Sequence, residues 1–225
     1  IIDVRVVVVY GAVDWQGGNI PLSNGASFNI QVGAVFVVNG AYNITTGVGG
    51  GAVVCSGDFI KNSPGDLHIW PVFNNNGVVI INVGVIILHG SGTMTGSFVI
   101  SVGTWIHFVD AFYSFSSTVV FTGSGMVRFA NGSATIGGTF NLSTGGQVVC
   151  DSGVINFVDP AQVIGSTVRI VNTQVAFGAT PSGSAGYLIN GIVINGPSGS
   201  VWLMDGSVTV IITIYLQGGT FTVGS

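Results

Sequence analysis

The run Gly123-Ser-Gly-Met-Val-Arg-Phe-Ala-Asn-Gly-Ser-Ala-Thr-Ile-Gly-Gly-Thr-Phe-Asn-Leu-Ser-Thr-Gly-Gly-Gln-Val-Val-Cys-Asp-Ser-Gly-Val-Ile-Asn-Phe157 decides the fold. It holds five strand-sized segments: Met126–Phe129, Ala134–Ile136, Thr139–Leu142, Gln147–Cys150 and Val154–Phe157. Asn131-Gly132, Gly137-Gly138, Gly145-Gly146 and Ser152-Gly153 separate them, and each is a strong turn signal. The same unit, a glycine followed by alternating apolar residues, recurs as Gly25-Ala-Ser-Phe-Asn-Ile, Gly77-Val-Val-Ile-Ile-Asn-Val, Gly138-Thr-Phe-Asn-Leu, Gly153-Val-Ile-Asn-Phe and Gly219-Thr-Phe-Thr-Val. Each glycine is expected to turn the chain at positive φ before a short strand.

Two architectures accept this pattern. Antiparallel hairpins give a β-sandwich or jelly roll, whereas coiling in one direction gives a parallel β-solenoid. The strands are shorter than typical sandwich strands. Val78–Ile81, Val85–Leu88 and Val208–Leu216 are apolar on both sides, where a one-sided antiparallel sheet would alternate. Asn29, Asn82, Asn141 and Asn156 recur beside strands, where stacked amides would form ladders. The expectation is therefore one all-β domain over 1–225, a single parallel β-solenoid with Gly and Asn at its corners. Phe129, Phe140, Leu142, Ile155 and Phe157 should point inward. A less regular N-terminal third and loop excursions near 57–71 and 179–186 are expected.

Composition supports an all-strand chain. The 225 residues include 37 Gly, no Glu and a single lysine, Lys61, so the usual helix-forming residues are scarce. Net charge is −4 and mean hydropathy +0.72. Arg5, Lys61, Arg128 and Arg169 are scattered singly, which argues against a nucleic-acid partner. No apolar run reaches the roughly 18 residues of a membrane helix, so membrane insertion is not expected. The chain opens on Ile1 rather than Met, as a processed protein or a piece of a longer one would.

Three triplets, at Asn43, Asn131 and Asn141, match the N-glycosylation pattern and point to a glycosylated extracellular or cell-surface protein. In a solenoid, Cys55 and Cys150 lie about four coils apart, on the order of 19 Å, too far for a disulfide to join them. The densest polar cluster, Asp58, Asp66, His68 and Trp70, is the candidate groove of a carbohydrate-active enzyme or binding module. Dispersed aspartates more often cap turns, and a glycosidase needs two facing acids. His68, His89 and His107 recur at roughly one coil each, without a metal-ligand spacing. No catalytic residues, metal site or cofactor are expected. Thr93-Met-Thr95 and Thr220-Phe-Thr222 match an ice-binding array only locally.

Gly123-Ser-Gly-Met-Val-Arg-Phe and Gly137-Gly-Thr-Phe-Asn-Leu-Ser-Thr-Gly-Gly resemble the degenerate repeats of large secreted β-helical proteins, the filamentous-haemagglutinin-like adhesins and fibrous microbial surface proteins. The resemblance covers 74–225 and implies a right-handed parallel β-helix serving as a rod, stalk or adhesive surface. Few charges remain to guard strand edges, so copies of the chain are the expected partner, head to tail, with glycans as a second.

Overall fold

The computed structural model describes residues 2–3, 5–158, 163–171, 173–177, 187–195, 200–203, 208–216 and 220–223, with side chains over 5–158, 168–171 and 173–177. Runs of β-branched and aromatic residues stay extended, and each finds its hydrogen-bond partners one coil before and one coil after. Val78–Ile81, for example, pairs in parallel with Asp58–Lys61 and with Ser97–Ile100. The 27 described strands form one continuous parallel sheet, wound as a β-solenoid of about 8 turns with no helix among the described residues.

Each coil contributes one strand to each of three faces. Asp66–Ile69, Val85–Leu88 and Trp105–Val109 stack on face 1. Gly51–Cys55, Val72–Asn75, Gly92–Met94 and Phe112–Phe115 stack on face 2. Val35–Val38, Asp58–Lys61, Val78–Ile81, Ser97–Ile100 and Val120–Gly123 stack on face 3. Further along, Met126–Ile136 and Gln147–Phe157 each run unbroken from face 1 to face 2. Asn131-Gly132 and Ser152-Gly153 are therefore bends within single strands rather than turns between separate ones. Asn131 and Ser152 take these bends at φ 55° and 63°.

The core is a set of ladders. On face 3, Phe98, Phe121 and Phe140 occupy successive rungs, with ring centroids 4.7 and 4.5 Å apart and nearly parallel planes. On face 1, Phe108 stacks on Phe129 at 5.2 Å, and Cys150 follows. On face 2, Phe157 stacks on Phe177 at 4.8 Å. Phe129, Phe140, Leu142, Ile155 and Phe157 are all buried, as expected of inward residues. Parallel and T-shaped ring pairs alternate through the interior, both favourable aromatic geometries.

Several sequence expectations require correction. The stretch 57–71 is regular coil: Asp58–Lys61 and Asp66–Ile69 are strands joined by a short corner. The excursion at 179–186 lies outside the described residues. Positive φ explains Gly25 and Gly153 but not Gly77 or Gly138. Gly57, Gly77 and Gly96 instead stack at one corner; a Cβ on Gly77 would lie 2.1 Å from the Gly57 carbonyl oxygen, and one on Gly96 2.0 Å from that of Gly77. Those glycines are required by close approach of successive coils. Of the asparagines expected to stack in ladders between coils, Asn29 and Asn156 share an outward column of face 2 without being adjacent in it, Asn141 lies on face 3, and Asn82 follows the strand Val78–Ile81. The amide pair observed is Asn82 Nδ2 donating to Asn62 Oδ1 at 2.7 Å.

Cys55 and Cys150 are buried free thiols on faces 2 and 1. Ile44 precedes Cys55 in its coil, and five rungs of face 1 separate Ile44 from Cys150, about 24 Å of stacking. Burial raises both thiols, Cys55 to about 12, so neither is an ionised nucleophile near neutral pH.

The single lysine is the largest departure from the apolar ladder. Lys61 is fully buried on face 3, between Val38 and Ile81. Its Nζ donates to the backbone oxygen of Ser63 and, at 2.8 Å, to Ser63 Oγ, which in turn donates to the Gly40 carbonyl. Desolvation lowers its pKa, partly opposed by Asp66. A buried ammonium without a carboxylate contact costs more than an apolar residue of similar length. Lys61→Met is therefore expected to hold or raise the unfolding midpoint, whereas Lys61→Ala leaves a cavity worth about 2–4 kcal/mol. Because the folded-state pKa is lowered, the parent should gain stability relative to Lys61→Met as pH rises towards 10.5. Denaturant titrations of the three proteins at neutral and alkaline pH check both signs.

Candidate functional site on face 1

Strand alternation sends every second residue of face 1 outward, and the ladder collects the chemistry there. His68, Ile87, His107, Arg128, Val149 and Arg169 form one outward column, each in register with the next. Extending the same register by one residue aligns Trp70 with His89, and this second column continues through Val109, Ala130 and Asp151. All three histidines and two of the four tryptophans thus lie on one face or its margin.

Trp70 and His89 stack with centroids 3.7 Å apart and planes within 7°. His68 Nδ1 and His89 Nε2 are 2.9 Å apart, a hydrogen bond that requires one ring nitrogen to carry the proton and the other to accept. His89 Nδ1 is buried without a partner. His107 lies under Trp105 at 5.4 Å, is 8% exposed, and has an unpartnered Nε2. Lower on the face, Arg128 is ion-paired with Asp151. A cavity of about 270 Å³ opens there, lined by Trp105, Met126, Arg128, Val149, Asp151, Arg169 and Val171.

The proposed Asp58, Asp66, His68 and Trp70 groove divides. Asp66 and His68 share the strand Asp66–Ile69, and Trp70 follows it. Asp58 begins the strand Asp58–Lys61 on face 3. Asp58 and Asp66 are consequently not a facing acid pair. Among the described residues no group of three or more His, Cys, Asp or Glu could hold a metal ion. Of the glycosylation triplets, Asn131 and Asn141 are exposed. Asn43 is half-buried and its Oδ1 accepts from the His68 backbone N–H at 3.1 Å.

Sequence reasoning missed the Trp105, Arg128, Asp151 and Arg169 group, because its members stand about one coil apart in the chain. The signal was present: His107, Arg128, Val149 and Arg169 recur at nearly constant spacing. Reading the cations as scattered singly is corrected for Arg128 and Arg169, which share a column, and for Lys61, which is internal.

Burial lowers the pKa of His107 to about 4, with Arg128 adding to the effect and Asp66 opposing it. Burial also lowers His89, with His68 adding to the effect and Asp110 opposing it. A histidine whose folded pKa is lowered stays neutral while the unfolded chain takes up a proton, so stability falls as pH drops below about 6.5. We expect a loss of about 2 kcal/mol between pH 6.5 and 4 that His107→Gln reduces. Thermal unfolding across that window checks the sign.

Neither a family model, nor a curated protein, nor a solved structure matches this chain.

Proposed function

We propose that the protein is a structural, extracellular, self-assembling rod whose coils continue from one copy to the next. The observation that carries this reading is the stacking of parallel coils, in which each described strand from Ala26–Ile30 to Val120–Gly123 pairs with one coil before it and one after, so that one pairing rule serves a stack of any length. An apolar cavity of about 630 Å³ lies beside Val6–Val9 and Ala12–Trp15, lined by residues including Val7, Val9, Val13, Trp15, Phe28 and Phe36.

Coils continued from one copy into the next make a head-to-tail contact, which propagates into a filament unless its rotation closes a ring. Charged side chains on strand edges could stop such joining, and the chain has few. The exposed triplets at Asn131 and Asn141 suit a glycosylated exterior.

Electron microscopy and sedimentation of the purified chain test the proposal. Fibres with a regular axial repeat are expected, and Val7→Lys, which puts an ammonium on the strand Val6–Val9 beside the apolar cavity, should shorten or abolish them while costing about 1 kcal/mol in thermal unfolding. Monodisperse single chains at all concentrations, or fibres indifferent to Val7→Lys, would overturn it.

A further inference from the structure

Face 2 carries a shallow cavity of about 420 Å³, distinct from the charged group on face 1 and from the apolar cavity beside Val6–Val9. Two outward columns build it. Val72, Ser91, Phe112 and Ser133 form one, and Asn74, Thr93, Ser114 and Thr135 form the other, each residue in register with the next. The flanking rungs are Ala52 and Val54 on one side and Val154 and Asn156 on the other. Across all of these rungs neither column holds a charged side chain. Asp110, at the corner before Phe112, does not line the cavity. Phe112 is 75% exposed, and Thr93, Ser114 and Thr135 are exposed beside it.

Each feature limits the occupant. The strands here pair with the coils before and after, so a ligand meets side chains rather than a free strand edge. A serine or threonine hydroxyl both donates and accepts, which suits a ligand rich in hydroxyls. Asn74 Oδ1 already accepts from the Thr93 backbone N–H at 2.9 Å, which leaves the amide NH2 to donate. A charged ligand would find no counter-ion on these columns, and a wholly apolar one would bury the hydroxyls unpaired. The exposed ring of Phe112 suits a partner ring with an apolar face and polar edges. The cavity falls within the size range of small-ligand sites. Its four rungs span about 14 Å in a straight line, so the occupant is extended rather than coiled. We infer that face 2 binds an extended, neutral oligosaccharide, with Phe112 against one ring face and Asn74, Ser114 and Thr135 on the sugar hydroxyls.

Calorimetric titration of the intact chain with cellotetraose, chitotetraose and trigalacturonic acid tests this. At least one neutral probe should bind at least tenfold tighter than the acidic one. Phe112→Ala should weaken that binding at least tenfold, as should the Ser114→Ala, Thr135→Val double substitution, whereas Phe112→Tyr should retain it. The two neutral arms identify whether the sugar carries hydroxyls alone or acetamido groups as well. Phe112 is exposed, so its truncation leaves the core intact; where the double variant does not fold, Phe112→Ala and Phe112→Tyr carry the test. No binding of either neutral probe at millimolar concentration, equal or tighter binding of the acid, or unaltered affinity in a folded Phe112→Ala or double variant would overturn the inference. Assembly into fibres is read separately, so failure of one proposal leaves the other standing.

Discussion

Everything in this molecule depends on register between successive parallel coils. A backbone group on one coil is satisfied only by the coil above or below, so a strand slipped by one residue would send its apolar side chains outward. Here each inward position rests on another inward position: Phe98 under Phe121 under Phe140, and Phe108 under Phe129. Hydrogen bonding and core packing specify the same alignment, which is why strands of about four residues are sufficient.

The same register organises the outside. A chain with few charged residues gathers two arginines, two aspartates, three histidines and two tryptophans along one face or its margin because their spacing is close to the coil length. Face 3 is different in character: Val35, Val37, Ile60, Val78, Ile80, Val99 and Val120 point outward and are all half-buried. Where the coil must turn, valine is tolerated in full solvent, as at Val32, Val48 and Val102, because a corner residue has no interior to reach.

The solenoid was legible in the sequence because its evidence is local: short apolar runs, turn dipeptides and the absence of helix formers. The inward set Phe129, Phe140, Leu142, Ile155 and Phe157 could be named for the same reason. What was not legible depended on contacts between coils. Gly77 and Gly138 looked like turn glycines, yet their constraint is a carbonyl of the preceding coil. Lys61 looked like part of a surface loop, although alternation from Asp58 places it inside. Asp58 and Asp66 looked like neighbours, and a corner puts them on different faces. Arg128 and Arg169 looked isolated because their proximity exists only once the coil length is known.

Register itself can be measured by paired cysteines on face 3, where Val99 lies opposite Thr122 and Asn141 is one rung further. Adjacent rungs bring Cα atoms to about 5 Å, within disulfide range, whereas two rungs exceed it at about 10 Å. The native thiols are buried and protonated, so they do not compete. Mild oxidation followed by mass mapping should give an intramolecular bond in the Val99→Cys, Thr122→Cys protein and none in the Val99→Cys, Asn141→Cys protein. The reverse outcome, or bonding in neither, would contradict in-register parallel stacking.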